Sequence, residues 1–267
     1  MTKRVIVGFI LAAYFAAVVM LGGWFQLIGF TVVALFAVIE VGGVFKRKVR
    51  TLFMLPSYIM AVSYYFVFKE LGLLPVVALW TIAVLSVLTE RVLNKNRTTE
   101  ETLYSLAVLL YPFSFFLVFM YMAELSFETS RIALICAFAP PLMGDILALF
   151  AGMAFGKKKL APHISPKKTV AGSIAGVFGG VLGGYLTYLL QAAFPANIPL
   201  LPLLLLGLFG GVFGQIGDLY ASTLKRWADI KDYGSIFPGH GGVVDRLDSV
   251  FFNAPIVLMV FLSLGYK

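Results

Sequence analysis

Long apolar runs follow one another along the chain and are separated by short polar connections. About 20 predominantly apolar residues are needed for a helix to cross the hydrocarbon core of a bilayer. Nine windows meet this pattern and are predicted as helices: residues 5–22, 25–44, 52–68, 72–89, 103–122, 131–153, 170–193, 198–220 and 250–265. The pattern therefore predicts an all-α, polytopic integral membrane protein with about nine transmembrane helices.

The composition supports this class. Hydrophobic residues make up 60% of the chain and charged residues 13%, and the mean hydropathy is +0.94. A soluble protein of 267 residues would expose more surface than so few polar side chains can cover. A soluble globular domain is therefore excluded, and the single cysteine, Cys136, excludes an intrachain disulfide.

Lysine and arginine collect in alternate connections. If the N-terminus is cytoplasmic, eighteen of the 21 Lys and Arg residues lie on the cytoplasmic side, and only Lys69, Arg131 and Lys267 lie on the other. Cytoplasmic connections of membrane proteins carry such an excess of positive charge. This asymmetry predicts a cytoplasmic N-terminus, and it explains the net charge of +8 without a nucleic-acid partner.

Two regions differ in character, and we predict a division into residues 1–125 and 126–267. The first region holds five ordinary apolar helices, with Glu40 as the one carboxylate well inside a span. In the second region, glycines recur four residues apart in one helix and on one face of the next. These glycines are Gly172, Gly176, Gly180 and Gly184, followed by Gly207, Gly210, Gly211, Gly214 and Gly217. Small residues at this spacing let helix backbones approach closely in lipid, so a tight helix pair is predicted.

Asp145 lies inside an apolar run, after two prolines and a glycine. An acidic residue within the membrane needs a partner, a cavity or a proton. The sequence leaves two interpretations open: a structural ion pair with a lysine, or a polar residue of a functional site.

A basic connection, FGKKKLAPHISPKKTVAG, joins the sixth and seventh predicted helices. Membrane topology and attraction to lipid headgroups can together explain the lysines of this connection without a binding site. However, Ser165 and Thr169 can cap a helix, and Lys167 and Lys168 lie beside the predicted helix start. A helix N-terminus next to lysines is a natural anion site, so these four residues are predicted to bind phosphate.

The end of the eighth predicted helix carries several polar side chains. On a helix, Asp218 and Ser222 are four residues apart and Lys225 is three further on, so the carboxylate, hydroxyl and ammonium groups share one face. Asp245 and Asp248 are three residues apart where the last predicted helix begins. Magnesium is usually bound by one or two carboxylates together with phosphate oxygens and water. We therefore predict a Mg²⁺ site with Asp218 and Asp245 as ligands.

A glycine-rich stretch, PGHGG, lies between these carboxylates. The backbone N–H groups of Gly239, Gly241 and Gly242 can approach an anion closely. Positive charge is supplied by Lys225, Arg226, Lys231 and Arg246. Although an amphipathic linker at the membrane surface is the alternative, such a linker needs neither paired aspartates nor this glycine cluster. The pattern thus predicts a phosphate and metal site at the membrane surface.

The same segment resembles the signature of phosphatidate cytidylyltransferases, also called CDP-diacylglycerol synthases. The residues that match at the same spacings are Ser222, Leu224, Lys225, Arg226, Lys231, Asp232, Gly234, Pro238, His240, Gly241, Gly242, Asp245, Arg246 and Asp248. The likeness extends over about residues 140–255, including the basic connection. Among the signature residues, the resemblance adds Asp232 and His240 to the candidate site, His240 as an orienting or leaving-group contact.

The resemblance implies that CTP reacts with phosphatidic acid to give CDP-diacylglycerol and pyrophosphate. It also implies Mg²⁺, with room for a second cation, a site on the cytoplasmic face of the bacterial inner membrane, and a homodimer. Two other functions would use similar residues: a CTP-dependent lipid kinase, or a transporter of an anionic solute with broken helices and no chemistry.

Overall fold

The computed structural model describes residues 2–194 and 197–266, and the side chains of residues 2–5 lie outside the description, as does Lys267. The helices are α1 (Thr2–Leu21), α2 (Gly23–Phe45), α3 (Leu55–Leu71), α4 (Leu73–Leu93), α5 (Thr99–Leu110), α6 (Phe113–Ala123), α7 (Phe127–Phe155), α8 (Val170–Leu190), α9 (Leu200–Trp227) and α10 (Val244–Ser263). Two short strands, β1 (Lys159–Ala161) and β2 (Ser165–Thr169), and a 3₁₀ helix at Gln191–Ala193 complete the described elements.

All nine predicted apolar segments are helical, which confirms the predicted class of integral membrane protein. Within the described residues, seven helical stretches are long and apolar enough to cross a membrane. Of the other two predicted spans, α3 is only 17 residues long, and the described apolar part of α1 runs from Ile6 to Leu21. The predicted helix 103–122 is two helices, α5 and α6, which meet at Tyr111 and Pro112. Proline has no N–H to donate, so it interrupts the helical hydrogen bonds.

The chain divides into two compact units. Unit 1 consists of Met1–Tyr121 and Trp227–Arg246. Its core is built from large aromatic side chains: the rings of Phe30 and Phe119 stack with centroids 6.0 Å apart, and Tyr64 meets Phe113 edge-on at 5.1 Å. Aromatic pairs in these geometries are favourable beyond their buried area.

Unit 2 consists of Met122–Arg226 and Leu247–Lys267. Its helices α7, α8 and α9 pack through glycines, with backbone against backbone. A Cβ atom added at Gly183 would lie 2.6 Å from the carbonyl oxygen of Ala139 in α7, and one added at Gly180 would lie 2.6 Å from the Cα of Gly211 in α9. The predicted close pair formed by α8 and α9 is confirmed, and α7 joins it.

The basic connection between α7 and α8 is a small antiparallel hairpin, which the sequence analysis did not predict. Strand β1 pairs with β2, with Lys159 opposite Thr169 and Ala161 opposite Ser165. The hydroxyl that caps α8 belongs to Thr169, whose Oγ1 accepts a hydrogen bond from the Gly172 N–H at 3.1 Å. Thr169 is the last residue of β2, whereas Ser165, the other predicted cap, is the first residue of this strand and does not cap α8.

Candidate active site

The C-terminal half of α9 presents the polar face that the sequence predicts. The Ser222 hydroxyl donates a hydrogen bond to Oδ1 of Asp218 at 3.3 Å, one helical turn away. Lys225 follows on the same face and is only 8% exposed. Gly207 and Gly211 lie earlier on the same face of α9 and pack against the backbone of α8, so these three side chains project from a helix with little freedom to shift.

The β1–β2 hairpin adds positive charge to this face. The Nζ of Lys168, in β2, lies 2.5 Å from Oδ2 of Asp218. The hairpin turn is itself held by the end of α9, because Nε of Arg226 donates to the carbonyl oxygen of Ile164 at 3.2 Å. One predicted phosphate ligand, Lys168, is therefore brought to the predicted metal ligand Asp218, although 50 residues separate them in sequence.

Asp248 lies in the same unit and is 7% exposed. Its Oδ1 accepts a hydrogen bond from the Ser249 N–H at 2.8 Å. The charges of Asp218, Lys225 and Asp145 all act on it. Unit 2 therefore concentrates three carboxylates and two lysines around one region, and Asp145 of α7 contributes to that electrostatic environment.

The glycine-rich stretch lies in unit 1 and forms a tight loop before α10. The N–H of Phe237 donates to the Gly241 carbonyl at 3.0 Å, and Gly239 and Gly241 adopt left-handed φ angles of 78° and 81°. Glycine takes this conformation without steric cost. Oδ2 of Asp245, which is 7% exposed, accepts hydrogen bonds from the backbone N–H groups of Tyr233 at 2.7 Å and Gly242 at 2.9 Å. The loop thereby fixes the Asp245 carboxylate.

Glu40 of α2, which received no role from the sequence, contacts the start of α10. Its two carboxylate oxygens accept hydrogen bonds from the N–H groups of Val243 and Val244, each at 2.9 Å. Val243 directly precedes α10 and Val244 is its first residue, so both donors lie immediately before Asp245. The available signal was a carboxylate inside an apolar span, since such residues mark function by default.

The remaining predicted residues lie at the surface of their units. Lys167, Arg226, Lys231, Asp232 and Arg246 are exposed, and His240 is half-buried. Among the described residues, the buried Nδ1 of His240 has no hydrogen-bond partner. Joint ligation of a metal by Asp218 of unit 2 and Asp245 of unit 1 stays a prediction.

The donor set suits a hard cation. Carboxylate oxygens dominate, and Mg²⁺ is characteristically held by one or two of them with phosphate and water completing an octahedron. Across residues 2–194 and 197–266, no group of three or more His, Cys, Asp or Glu side chains is arranged to hold a metal. Asp218 and Asp245 each offer carboxylate oxygens, the kind of ligand that Mg²⁺ prefers.

Comparisons with known proteins agree with the predicted resemblance. The family model described as "Cytidylyltransferase family" matches residues 2–264. The chain is 45% identical over 113 residues to the phosphatidate cytidylyltransferase of Bacillus subtilis, covering 42% of this chain and 41% of that protein. It is 36% identical over 146 residues to that of Staphylococcus saprophyticus, covering 55% of each, and 42% identical over 134 residues to that of Synechocystis, covering 49% and 44%.

These aligned stretches span about two fifths to just over half of the relatives' length, whereas the family model covers nearly all of this chain. The chain belongs to the cytidylyltransferase family.

Proposed function

We propose that this protein is a phosphatidate cytidylyltransferase, which converts CTP and phosphatidic acid to CDP-diacylglycerol and pyrophosphate. The polar cluster of unit 2 carries this proposal, because Lys168 of β2 meets Asp218, and Asp218 bonds with Ser222 on a glycine-packed helix of an integral membrane protein. Lys225 and Asp248 lie in the same environment. Such a cluster suits a reaction between a soluble nucleotide and a lipid headgroup.

The chemistry has to overcome repulsion between two multiply charged anions. An oxygen of phosphatidate attacks the α-phosphorus of CTP, the bond to the β-phosphate oxygen breaks, and pyrophosphate leaves. Positioning and electrostatic stabilisation account for most of the catalysis in such transfers. The ammonium groups of Lys168 and Lys225 would offset the phosphate charges, and Asp218 would orient Lys168 through their ion pair.

No strong general base is required, because a phosphate monoester is largely ionised near neutral pH. His240 would therefore orient the nucleotide or contact the leaving pyrophosphate, as the family resemblance implies. The backbone N–H groups around Gly239 and Gly241 would face phosphate oxygens. Both glycines adopt left-handed φ angles, and successive N–H groups in turns of this kind can bind an anion.

Asp218 and Asp245 would hold Mg²⁺, and the family resemblance leaves room for a second cation. Bound there, Mg²⁺ would neutralise the charge that develops on the phosphates. Lys167 and Lys168 in β2 would bind a substrate phosphate. We also place the site on the cytoplasmic face of the bacterial inner membrane and expect a homodimer.

The position of the label transferred from CTP tests this function. With purified protein in detergent, label from the α-phosphate of CTP should enter the lipid, and label from the γ-phosphate should leave as pyrophosphate. A lipid kinase would give the opposite pattern, because the lipid then attacks the γ-phosphorus. A transporter would transfer neither label. Label from the γ-phosphate in the lipid, or no transfer at all, would overturn the proposal.

A further inference from the structure

We propose that Glu40 is a positioning residue, which holds the start of α10 and thereby the carboxylate of Asp245 from the membrane-spanning helix α2. This inference rests on the proposed function for its effect on turnover. It concerns unit 1 alone, where α2 and the segment Trp227–Arg246 lie together.

The contact of Glu40 with α10 is bidentate. Oε1 accepts from the Val243 N–H and Oε2 from the Val244 N–H, each at 2.9 Å. The first N–H groups of a helix have no partner within the helix and carry partial positive charge. Glu40 thus acts as a capping anion that is supplied by another helix, in place of a side chain of the loop itself.

Two glycines make this contact possible. A side chain at either Gly234 or Gly242 would run into the Glu40 carboxyl group. Glu40 is 8% exposed, so its charge is withdrawn from solvent in a membrane helix. Burying a carboxylate is costly unless hydrogen bonds satisfy it, and the two backbone donors provide that compensation.

Helix α2 also holds the other end of the same segment. Phe45, its last residue, packs edge-on against Trp227 with ring centroids 5.9 Å apart. Just beyond the helix, Lys48 lies 2.9 Å from Oδ2 of Asp229 and 5.6 Å from the centre of the Trp227 ring. Because both ends of Trp227–Arg246 are tied to α2, the loop between them has fixed end points.

Asp245 is the residue that this arrangement serves. It directly follows Val244, and its Oδ2 accepts from the N–H groups of Tyr233 and Gly242. Movement of the first turn of α10 would therefore move the Asp245 carboxylate. A misplacement of about 1 Å at a reacting centre can lower turnover by about 10²-fold.

The test compares Glu40→Gln with a matched control, Glu101→Gln. Glu101 is a second buried carboxylate of unit 1, and its two oxygens accept from the N–H groups of Thr51 at 3.0 Å and Thr98 at 2.9 Å. It bonds to no residue of Trp227–Arg246 among the contacts described. Glutamine preserves the size of either side chain, but its NH₂ group opposes one of the two backbone donors.

Two measurements are made on the full chain in detergent: hydrogen–deuterium exchange of the amides at Val243 and Val244, and kcat with KM for CTP. For Glu40→Gln we expect exchange at these amides to quicken by about tenfold or more, and kcat to fall by about 10²-fold. For Glu101→Gln, exchange at Val243 and Val244 should match the wild type and kcat should stay within about twofold. Glu40→Asp, which keeps the charge but is one methylene shorter, should recover part of the lost turnover.

Unchanged amide exchange in Glu40→Gln, or an equal loss of kcat in both glutamine variants, would overturn the positioning role. If Glu40→Gln does not fold, Glu40→Asp decides, since wild-type exchange and turnover in that variant would equally contradict the proposal. Wild-type protein that forms no CDP-diacylglycerol would instead refute the proposed function, and the amide exchange would still decide whether Glu40 holds α10.

Discussion

The two units of this protein are packed by opposite means. Unit 1 fills its core with aromatic rings such as Phe30, Tyr64 and Phe119, so side chains keep the helix backbones apart. Unit 2 brings α7, α8 and α9 together at glycines such as Gly180, so backbones touch directly. Where backbones touch directly, no flexible side chain separates the helices, so the helices cannot shift easily. A polar group on such a helix is therefore held more firmly than one on a helix that packs through side chains.

The units also present their carboxylates differently. In unit 2, Asp218 is engaged by side chains, the Ser222 hydroxyl and the Lys168 ammonium group. In unit 1, Asp245 is held by backbone N–H groups of a glycine-rich loop. Asp218 therefore lies on a glycine-packed helix face, whereas Asp245 lies in the first turn of α10 and is fixed by the loop that precedes this helix.

The largest expected effect comes from removing either carboxylate charge. Asp218→Asn and Asp245→Asn should each keep the fold and lower kcat by about 10²–10³-fold, because each removes a group that stabilises charge in the transition state. Initial rates of CDP-diacylglycerol formation over a range of Mg²⁺ concentrations provide the measurement. The control is Glu124→Gln, an exposed carboxylate of unit 2.

The outcome separates the roles of the two units. If only Asp218→Asn is inactive and Asp245→Asn turns over near-normally at every Mg²⁺ concentration, unit 1 supplies no ligand. The prediction that each unit supplies one ligand would then be wrong.

The sequence predicted the helices and the polar face of α9 because both depend on local spacing. Apolar runs set the positions of the spans, and residues four apart on a helix must meet, as Ser222 and Asp218 do. The break at Pro112 also carried a local signal, a proline within an apolar run, which the window-based prediction passed over.

The long-range contacts could not be read in this way. Glu40 binds the N–H of Val243 across 203 residues, and no periodicity in either segment specifies the other. The pairing of Lys168 with Asp218 likewise depends on how the hairpin folds against α9. The hairpin strands are only three and five residues long, and the second contains Pro166, so they show none of the alternation by which strands are recognised.

A smaller effect is expected from the lysines of the hairpin region, and it tests whether its charges serve chemistry or topology. The double variant Lys167→Gln, Lys168→Gln should lower kcat/KM by about tenfold or more, since it removes charge-assisted contacts to phosphate and the ion pair with Asp218. The matched double variant Lys157→Gln, Lys158→Gln removes two positive charges from the same connection, so it affects membrane topology equally. It should change kcat/KM by less than about threefold. Equal effects, measured under identical lipid conditions, would assign all four lysines to topology.

The smallest expected effect concerns stability, and it probes the packing contrast directly. Gly180→Ala in α8 places a methyl group against the backbone of Gly211 in α9, where its Cβ would lie 2.6 Å from the Gly211 Cα. Neither helix can yield without moving the other, so we expect the free energy of unfolding to fall by about 1–3 kcal/mol.

Gly43→Ala in α2 is the matched control in unit 1, because a Cβ there would meet nothing within 4 Å. Alanine is favoured over glycine within a helix by roughly 0.5–1 kcal/mol, so this variant should be unchanged or slightly more stable. Unfolding temperatures in detergent, followed by tryptophan fluorescence, compare the two variants. Activity of the folded Gly180→Ala protein should fall as well, since α9 carries Asp218 and Ser222. Equal unfolding temperatures for both variants would show that α8 and α9 can separate at little cost, and the rigid frame attributed to unit 2 would have to be abandoned.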